Sequence, residues 1–571
     1  MAEALDRLAR LLEVTGAIRF KTQAHERAAQ VLRGLDRDAA AIFRAEGTKG
    51  LRTLPGIGEG IATKIGELVT TGRCTEYEKI RKSLPPGLET LLAVPGLGPK
   101  TAMLVATKLK VRNLAGLERA IASGKVAALP RLGEKAAAKI LKGMELLRSG
   151  AGRVPLSTAL PLARRILARL ASLPGVARVE IAGSLRRMRE TIGDLDFLAI
   201  PRKPADAPGI LKAFAGFEEV RSVTAQGGTK CSVRLASGVD ADLRVVPAES
   251  FGAALLYFSG SKNFNIRIRE LGITKGMSLN EYGMLKGKKR SGGATEEEIF
   301  KAVGLPFIPP EIREDTGEVE AALQGRLPRL IEAGDLRGDL HMHTTWSDGD
   351  NTAAQMAAAA QALGYAYIAL CDHSRSLRVA GGLSIEDLRK KNREIDALNR
   401  TLKGFRVLKG AEVDILADGT LDYPDEVLAE LDVVVASIHT AFTLPEADQT
   451  RRAVRALANR HVTLLAHPTG RLIGKRAPYA INLAEVIRAA KDHGTCLELN
   501  AQAQRLDLAE GPLRQAREAG VTIAINTDSH RDTQLASGRD YGIGIARRGW
   551  LRAGDVLNTL PLDSLLKRLA R

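Results

Sequence analysis

Two pairs of aspartates have the spacing of metal ligands. One residue separates Asp194 from Asp196, and one separates Asp240 from Asp242. Because successive side chains of a strand alternate, the members of each pair share one face. Close carboxylates repel each other unless a cation lies between them, and Mg²⁺ held by two carboxylates and substrate phosphates relieves that repulsion. A third carboxylate from a neighbouring strand would complete a two-metal site for in-line phosphoryl transfer.

A second set of candidate ligands lies in the C-terminal part of the chain. Six of the nine histidines follow short apolar runs there, and three carboxylates accompany them. Side chains at the C-terminal ends of barrel strands point into the active-site mouth. Imidazoles and carboxylates without thiolates suit catalytic Zn²⁺, Mn²⁺ or iron rather than structural zinc. The nine residues are His341, His343, Asp348, His373, Glu412, His439, His467, Asp528 and His530.

One local pattern occurs three times among the helical segments of residues 1–150. It combines an apolar residue and a proline with a tight turn and a helix containing small residues. It spans 54–62, 94–102 and 129–137. Glycines in the turn permit positive φ and leave backbone N–H groups bare at a helix N-terminus, which suits a phosphate oxygen. These glycines are Gly56, Gly58, Gly96 and Gly98. The third copy has Arg131 at a glycine position, and an ordinary turn between helices is the alternative interpretation.

The elements that must position these residues change along the chain. After about residue 151, an amphipathic helix at 156–173 precedes several strand-like runs, which predicts an α+β unit. The predicted strands are 176–182, 196–201, 230–235 and 242–246. From residue 336 onward, short apolar runs alternate with helices rich in Ala, Leu and Arg. That alternation predicts a parallel α/β barrel.

The composition limits the kind of protein. The 571 residues contain 45% hydrophobic and 26% charged residues, the range of globular chains with several domains. The sequence has no membrane-span signal, no visible secretory signal and no CxxC among its four cysteines, so a reduced, cytoplasmic protein is expected. The first 335 residues carry +16 of the net charge of +18. This imbalance favours a polyanion such as DNA or RNA as the partner.

The motifs around the aspartates resemble those of the nucleotidyltransferase superfamily, and within it the family X DNA polymerases. The sequence is IAGSLRR at 181–187, GDLDFLAI at 193–200 and VDADLRVVP at 239–247. This resemblance implies that the Gly-Ser turn and the second arginine hold the triphosphate of a dNTP. Those residues are Gly183, Ser184 and Arg187.

The same resemblance implies roles for the aspartates. Asp194 and Asp196 would bind both metal ions, Mg²⁺ or Mn²⁺. Asp242 would activate the primer 3′-OH. Asp242 fits this role better than Asp240 because the family pattern of Asp, apolar, Arg, apolar, apolar and Pro starts at Asp242.

A further run, YFSGSKNFN at 257–265, resembles the polymerase beta segment that lines the sugar pocket. By that resemblance, three residues contact the dNTP sugar: Tyr257, Phe258 and Gly260. Three more would contact the bases: Lys262 over the base, Asn265 at the base edge and Arg269 in the template minor groove.

The repeated turns resemble the helix-hairpin-helix motif of DNA-repair proteins, which grips backbone phosphates without reading the base sequence. Lys64 follows the first turn and occupies the place of the family's Schiff-base lysine. An amine nucleophile needs a lowered pKa, usually from a second cation or from burial. The position of a supporting lysine is Gly60 here, and that of the family's tyrosine is His25. A phosphate-contacting Lys64 is therefore favoured over lyase activity.

The histidine motifs, in the order HxHTxxSDG, DH, GxE, H, HP and DxH, resemble the PHP (polymerase and histidinol phosphatase) domain. That family has a distorted seven-stranded (β/α) barrel with a trinuclear metal site that hydrolyses phosphoesters. The resemblance implies that all nine ligand positions are filled and that up to three Zn²⁺ or Mn²⁺ ions bind. Asp350 competes with Asp348 for one of these positions.

Together, these resemblances imply a multidomain α+β and α/β protein of the kind found in bacterial and archaeal family X polymerases fused to a PHP domain. Six segments are predicted. They are a helical 8-kDa-like domain with a hairpin at 1–85, a helix-hairpin-helix subdomain at 86–150, a nucleotidyltransferase palm at 151–248, a thumb at 249–316, a linker at 317–335 and the PHP barrel at 336–571.

The implied function is repair synthesis across short gaps, with a 3′→5′ exonuclease or 3′-end phosphoesterase in the PHP domain and abasic-site processing as a further activity. The expected partners are gapped or nicked double-stranded DNA and dNTPs, with no membrane. A cytoplasmic, nucleoid-associated monomer is expected. One alternative is a small-molecule nucleotidyltransferase joined to a histidinol-phosphate-type phosphatase, and the hairpins and basic charge count against it. The other is a non-catalytic DNA-end scaffold, and the filled metal positions count against that.

Overall fold

The computed structural model describes the chain except for residues 2–3, 6–7, 10, 13–18, 34–38, 55, 93, 95–96, 131, 135, 139, 142–143, 145–152, 288 and 571. The chain divides into two compact units, Met1–Arg153 and Val154–Arg571. Gly96 and Arg131 of the predicted hairpins lie outside the described residues. Among the described helices, none has the length and hydropathy needed to cross a membrane.

The first unit consists of helices in the part that the structure describes. They are Arg19–Arg33, Ala39–Arg52, Glu59–Thr71, Thr75–Ser83, Leu88–Leu92, Pro99–Lys108 and Leu114–Ala122. Two apolar clusters stabilise the unit, one containing Ile57 and Ile65 and the other containing Leu97 and Val105. Ile57 and Leu97 come from the turns themselves, so each turn is fixed to a core of its own.

The three repeated turns have the same backbone hydrogen bonds. The bonds join Ile57 N–H to Leu54 O, Leu97 N–H to Val94 O and Leu132 N–H to Leu129 O, at 3.2, 3.1 and 3.0 Å. In each copy the next glycine carbonyl accepts a bond of 2.9 or 3.0 Å from the alanine four residues further along the chain. The third copy therefore shares both hydrogen bonds with the first two.

The second unit begins with the predicted α+β fold, built on a five-stranded mixed sheet. The five strands of this sheet are β2 (Val176–Ile181), β4 (Asp194–Pro201), β5 (Val220–Gln226), β6 (Lys230–Leu235) and β7 (Asp240–Val245). Two short strands, β1 (Val154–Pro155) and β3 (Thr191–Ile192), pair separately with each other. The sheet order is β2-β4-β7-β6-β5, and β4 and β7 are parallel. The helices Leu156–Ala171 and Ala207–Ala215 share one apolar core with the sheet, and the short helix Gly183–Arg186 follows β2.

A smaller region follows, which corresponds to the predicted thumb. Its helices are Phe251–Ser259, Lys262–Thr274, Glu296–Val303 and Glu318–Leu323, and its strands are β8 (Met277–Asn280), β9 (Gly283–Lys286) and β10 (Lys289–Gly292). The stretch 317–335, predicted to be a linker, contains the last of these helices. Val319 and Ala322 of that helix lie in the same apolar core as Phe264 and Phe300.

The C-terminal part forms the predicted barrel of seven parallel strands in chain order. They are β11 (Gly338–Met342), β12 (Tyr367–Leu370), β13 (Arg406–Asp414), β14 (Val433–Ser437), β15 (Leu464–Leu465), β16 (Cys496–Asn500) and β17 (Ile523–Asn526). A parallel bridge between Met342 and Ser529 connects the first strand to the end of the last. The strands are apolar and buried because helices cover a parallel sheet on its outer face.

The helices of the barrel follow its strands. They are Ala353–Ala362, Ile385–Thr401, Asp425–Leu428, Glu446–Leu457, Leu483–His493, Glu510–Ala519, Ile543–Arg548 and Leu562–Leu569. The barrel and the five-stranded sheet belong to the same compact unit. Arg471 of the barrel pairs with Glu190, which follows the Gly-Ser turn, at 2.6 Å.

Candidate active sites

The first site lies where β4 and β7 run side by side. Their parallel register pairs Asp194 with Asp240 and Asp196 with Asp242. Burial is the largest cause, and the charges of Asp194 and Asp242 act with it, so that together they raise the pKa of Asp196 to about 7. The three carboxylates therefore oppose one another, and a cation between them would remove that cost.

Asp242 and Asp240 differ in the basic residue with which each forms an ion pair. Lys230 Nζ on β6 lies 2.6 Å from Asp242 Oδ2, whereas Arg234 Nε lies 2.6 Å from Asp240 Oδ1. The side chain of Asp240 is 48% exposed and that of Asp242 is 22% exposed. Asp242 thus lies beside the half-buried Asp196, and its charge is balanced by a lysine.

The Gly-Ser turn lies against these carboxylates. Gly183 has a φ of +67°, and a Cβ there would stand 2.3 Å from Asp196 Oδ2, so only glycine lets the turn approach the aspartate. Ser184 Oγ is buried and makes no hydrogen bond within the described part of the chain. Arg187 donates from Nε to Glu314 Oε1 at 3.1 Å and from its Nη1 to Ser259 O. An unsatisfied hydroxyl beside an arginine is a suitable site for phosphate oxygens.

The aromatic pair predicted to line the sugar pocket lies at the end of the helix Phe251–Ser259. The rings of Tyr257 and Phe258 make an edge contact with centroids 5.0 Å apart. Asn265 donates from Nδ2 to Tyr257 O at 2.7 Å, and the Arg269 guanidinium lies 5.1 Å from the centre of the Tyr257 ring. Both residues therefore hold Tyr257 from the following helix.

Two more residues of that run differ in exposure. Lys262 is exposed at the start of the helix Lys262–Thr274. Gly260 is buried with a φ of +69°, and a Cβ there would stand 3.1 Å from Arg187 Nη1. This close approach connects the aromatic run to the arginine of the Gly-Ser turn.

The second site lies at the C-terminal ends of the barrel strands, where the nine predicted ligands come together. In three groups, one ligand atom of each residue lies within 4.8 Å of the others: His343, Asp348, His373 and His530; His341, His343 and Asp528; His373, Glu412 and His439. The ninth residue, His467, places Nε2 3.0 Å from Glu412 Oε1. Among the described residues, all such groups are in the barrel.

The electrostatics of the barrel site come from mutual pairing. Burial opposes the charge of Glu412, but His439, His341 and His373 outweigh it and hold the pKa of Glu412 well below its usual range. Burial lowers the pKa of His343 to about 4, and the neighbouring His373 adds to this effect. His341 Nε2, His343 Nδ1 and His467 Nδ1 are buried without a hydrogen bond in the described chain. Unpaired buried nitrogens beside carboxylates fit divalent cations.

The structure distinguishes the two candidate aspartates after β11. Asp348 Oδ1 lies 3.5 Å from His373 Nε2 and 3.3 Å from His530 Nε2. Asp350 instead pairs with Arg531. Two candidate ligands of this site, His467 and Asp528, have left-handed φ values of +28° and +50°. Such strain in residues other than glycine is found mainly where function requires it.

Sequence reasoning missed the carboxylates that support the histidines. Glu498 Oε1 lies 2.8 Å from His341 Nδ1, and Asp414 Oδ1 lies 2.7 Å from His439 Nδ1. Asp372 accepts from Thr344 N–H and Ser347 Oγ, and so fixes the loop that carries Asp348. The available signal was an acidic residue within a buried apolar strand, as in the CLELN of β16.

The described glycines of the first two hairpins are open to solvent. Gly56, Gly58 and Gly98 are exposed, and a Cβ on Gly58 or Gly98 would meet nothing within 4 Å. Lys64 lies in the helix after the first hairpin, where its Nζ is 2.9 Å from Glu76 Oε2 and donates to Gly60 O at 3.0 Å.

Taken together, the fold and the two sites define a nucleotidyltransferase joined to a metal-dependent phosphoesterase. Comparison with known families agrees. Residues 1–74 match the helix-hairpin-helix domain, 88–145 the SAM-like helix-hairpin-helix tandem, 254–314 the DNA polymerase beta thumb and 339–502 the PHP domain. The tandem match covers the second and third turns.

Similar proteins cover different parts of the chain. The DNA polymerase/3′-5′ exonuclease PolX of Bacillus subtilis (strain 168) is 40% identical over 571 residues, 99% of this chain and 98% of that protein. DNA polymerase lambda of Rattus norvegicus is 27% identical over 55% of the chain and 56% of its own length. A probable phosphatase of Acetivibrio thermocellus is 33% identical over 34% of the chain and 78% of its own length. The chain belongs to the PolX family, the family X DNA polymerases with a C-terminal PHP domain.

Proposed function

We propose that this chain fills short gaps in DNA during repair and removes nucleotides or blocking groups from 3′ ends with its PHP domain. The observation that carries the proposal is the parallel pairing of β4 with β7. It sets Asp196 beside Asp242 next to an unsatisfied Ser184 hydroxyl. Abasic-site processing is a further activity of the same barrel in this proposal.

In the polymerase reaction, the Gly183-Ser184 turn and Arg187 bind the triphosphate. Asp194 and Asp196 would hold the metal ions, which would supply charge neutralisation for in-line transfer. Asp242 accepts the proton of the primer 3′-OH. Lys230 holds that carboxylate in place until the primer arrives.

The residues of the thumb select and orient the nucleotide. Tyr257, Phe258 and Gly260 enclose the sugar, and close approach there excludes a 2′-OH. Lys262 and Asn265 contact the incoming base, and Arg269 contacts the template. The hydrogen bond from Asn265 to Tyr257 O supports this role because it fixes the aromatic pair relative to the next helix.

In the PHP domain, the nine clustered residues would hold up to three Zn²⁺ or Mn²⁺ ions, which would supply Lewis-acid activation of water and positive charge for phosphate oxygens. Glu498 and Asp414 orient His341 and His439 by hydrogen bonds to Nδ1. Asp348 is the proposed ligand rather than Asp350, because Asp350 is engaged by Arg531.

The first unit binds the phosphate backbone of gapped or nicked DNA in this proposal. Gly56, Gly58, Gly96 and Gly98 supply the exposed turns, and Lys64 contacts phosphate.

The proposed domain boundaries are those predicted from the sequence, with the stretch 317–335 assigned to the thumb core rather than to a free linker. The proposed oligomeric state is a monomer.

A labelled primer on one-nucleotide-gapped DNA with a 5′ phosphate tests both activities together. The protein is incubated with Mn²⁺, with and without the complementary dNTP. We expect extension by one nucleotide with dNTP and 3′ shortening without it. Shortening alone would contradict the polymerase proposal, and tight DNA binding without either reaction would favour a scaffold.

A further inference from the structure

The backbone that follows the Gly-Ser turn is held by the PHP barrel. The helix Ile543–Arg548 lies against it, and Met188 packs so closely on Gly544 that a Cβ there would stand 2.5 Å from Met188 Cε. Arg548, whose side chain is 1% exposed, donates from Nη1 to Arg187 O at 2.7 Å. A residue of the PHP barrel, Arg548, therefore donates a hydrogen bond directly to the backbone of Arg187, the proposed triphosphate-binding arginine.

The same guanidinium also reaches the side chain of Arg187 through Glu314. Arg548 Nη1 donates to Glu314 Oε1 at 3.0 Å, and Arg187 Nε donates to the same oxygen at 3.1 Å. Burial opposes the charge of Glu314, but Arg548, Arg187 and Arg189 outweigh it and lower the pKa of Glu314. Glu314 is therefore an ionised bridge between an arginine of the barrel and an arginine of the palm.

The other end of Arg548 is anchored within the barrel. Its guanidinium also binds Glu510, the first residue of the helix Glu510–Ala519. Arg189 Nη1 lies 3.5 Å from Glu510 Oε1 and 3.6 Å from Glu314 Oε1. Three arginines and two glutamates thus form one network, and the barrel supplies Arg548 and Glu510. Arg548 and Glu314 are 1% and 17% exposed, and this pair keeps its geometry because separating it would leave an uncompensated charge away from water.

We propose that Arg548 and Glu314 are positioning residues for nucleotide binding in the polymerase site, so that the PHP domain sets the affinity for dNTP. The inference rests on the proposed role of Arg187 in binding triphosphate. With Nε held by Glu314 and Nη1 by Ser259 O, the Arg187 side chain is already ordered, and binding a phosphate costs less conformational entropy.

Steady-state kinetics of gap filling on one-nucleotide-gapped DNA test this inference with Arg548→Met and Glu314→Gln. We expect the KM for dNTP to rise about three- to tenfold with kcat within twofold, the range of coupling between contacting residues. Arg164→Ala is the matched control, because it breaks a different ion pair of the same unit, with Asp540 at 2.8 Å. Its KM should stay unchanged. Thermal unfolding and 3′ shortening of single-stranded DNA report whether the barrel remains intact.

A double-mutant cycle with Arg187→Ala separates the inference from the function on which it rests. If Arg187→Ala leaves KM unchanged, the proposed role of Arg187 is wrong. If Arg187→Ala raises KM but Arg548→Met and Glu314→Gln do not, the positioning inference is overturned. It is also overturned if either variant raises KM by the same factor with Arg187 present and absent. Glu314→Gln preserves side-chain size, and it decides the matter if Arg548→Met fails to fold.

Discussion

The palm and the barrel hold their acidic residues in different ways. In the barrel, Glu412 lies within 3.5 Å of five histidines, so positive and negative groups neutralise one another in a buried cluster. In the palm, Asp194 is exposed, Asp242 is paired with Lys230, and burial raises the pKa of Asp196 to about 7. The candidate ligands of the barrel form three close groups, whereas the palm carboxylates form none among the described residues.

This difference indicates how each site acquires its metals. A preassembled set of imidazoles and carboxylates loses little freedom when an ion binds, so the barrel should keep its metals between reactions. Two aspartates do not fill the coordination shell of a metal ion. Mg²⁺ bound by one or two carboxylates obtains its remaining ligands from water and substrate phosphates. The palm site should therefore be completed only by the nucleotide.

The largest effect should come from replacing Asp242, which would abolish one of the two activities and leave the other. We expect Asp242→Ala to lower gap filling by about 10³-fold, because general-base catalysis contributes on that order. The 3′ shortening activity should remain, and His341→Ala should produce the reverse pattern. Both activities are measured on the gapped primer, with and without dNTP.

Asp240→Ala is the matched control for Asp242→Ala, since Asp240 is two residues away on the same face and pairs with Arg234. It should retain most of the synthesis. Loss of both activities in Asp242→Ala, with folding and DNA affinity intact, would contradict the assignment of two independent sites.

The next effect concerns the stability of the palm–thumb contact. Glu296 is 4% exposed and pairs with Arg313 at 2.6 Å and with Arg186 of the Gly-Ser turn at 2.6 Å. Removing one partner of a buried pair costs about 3 kcal/mol or more. We expect Glu296→Gln to lower the free energy of unfolding by about 3 kcal/mol at pH 7. Urea denaturation measures it, and Glu298→Gln on the exposed side of the same helix should cost far less.

The unfolding free energy lost in Glu296→Gln should depend on pH in a definite direction. Burial opposes the charge of Glu296, but Arg313 and Arg186 outweigh it and lower its pKa from the usual 4.5 to about 2. A depressed pKa gives stability that is fully present above pH 4.5 and is lost as the pH falls toward 2. The difference between the parent protein and Glu296→Gln should therefore shrink over that interval. A constant difference would exclude the ion pair as its cause.

A smaller effect is expected from the carboxylate behind His341. Loss of such a partner usually costs 10- to 100-fold in metal affinity or activity. We expect Glu498→Gln to lower 3′ shortening by about that factor and to leave gap filling unchanged. Metal content after dialysis, measured by mass spectrometry, should fall in parallel. Glu318→Gln removes another buried carboxylate, in the thumb. It should change neither the 3′ shortening nor the metal content.

Sequence motifs predicted which residues lie together in the structure better than the limits of the elements that carry them. We expected strands to begin at Asp196 and Asp242, but β4 and β7 begin at Asp194 and Asp240. Aspartate has low strand propensity, so the pattern underestimated strands that start in a carboxylate site. Strand β5, 220–226, was missed because its residues are mostly polar and exposed at the sheet edge.

Side-chain contacts between residues far apart in the chain could not be predicted from the sequence. The support of His341 by Glu498 joins residues 157 positions apart, and that of Arg187 by Glu314 joins residues 127 apart. Charges such as these have no periodicity, and only the fold brings them together. The motifs could be recognised because each is local, whereas the contacts that orient them are not.

The smallest effect is expected at Lys64 in the first unit. Its amine is paired with Glu76, and burial of that carboxylate is outweighed by Lys21 and Lys64, which lower its pKa to about 2. A Schiff base requires an uncharged amine free of this partner. We therefore expect Lys64→Ala to weaken binding to gapped DNA only a few-fold and to reduce the salt dependence by about one phosphate contact. Lys21→Ala, which removes the other partner of Glu76, is the control. Borohydride trapping of a covalent complex with a 5′-deoxyribose-phosphate end, lost in Lys64→Ala, would instead assign lyase chemistry to this lysine.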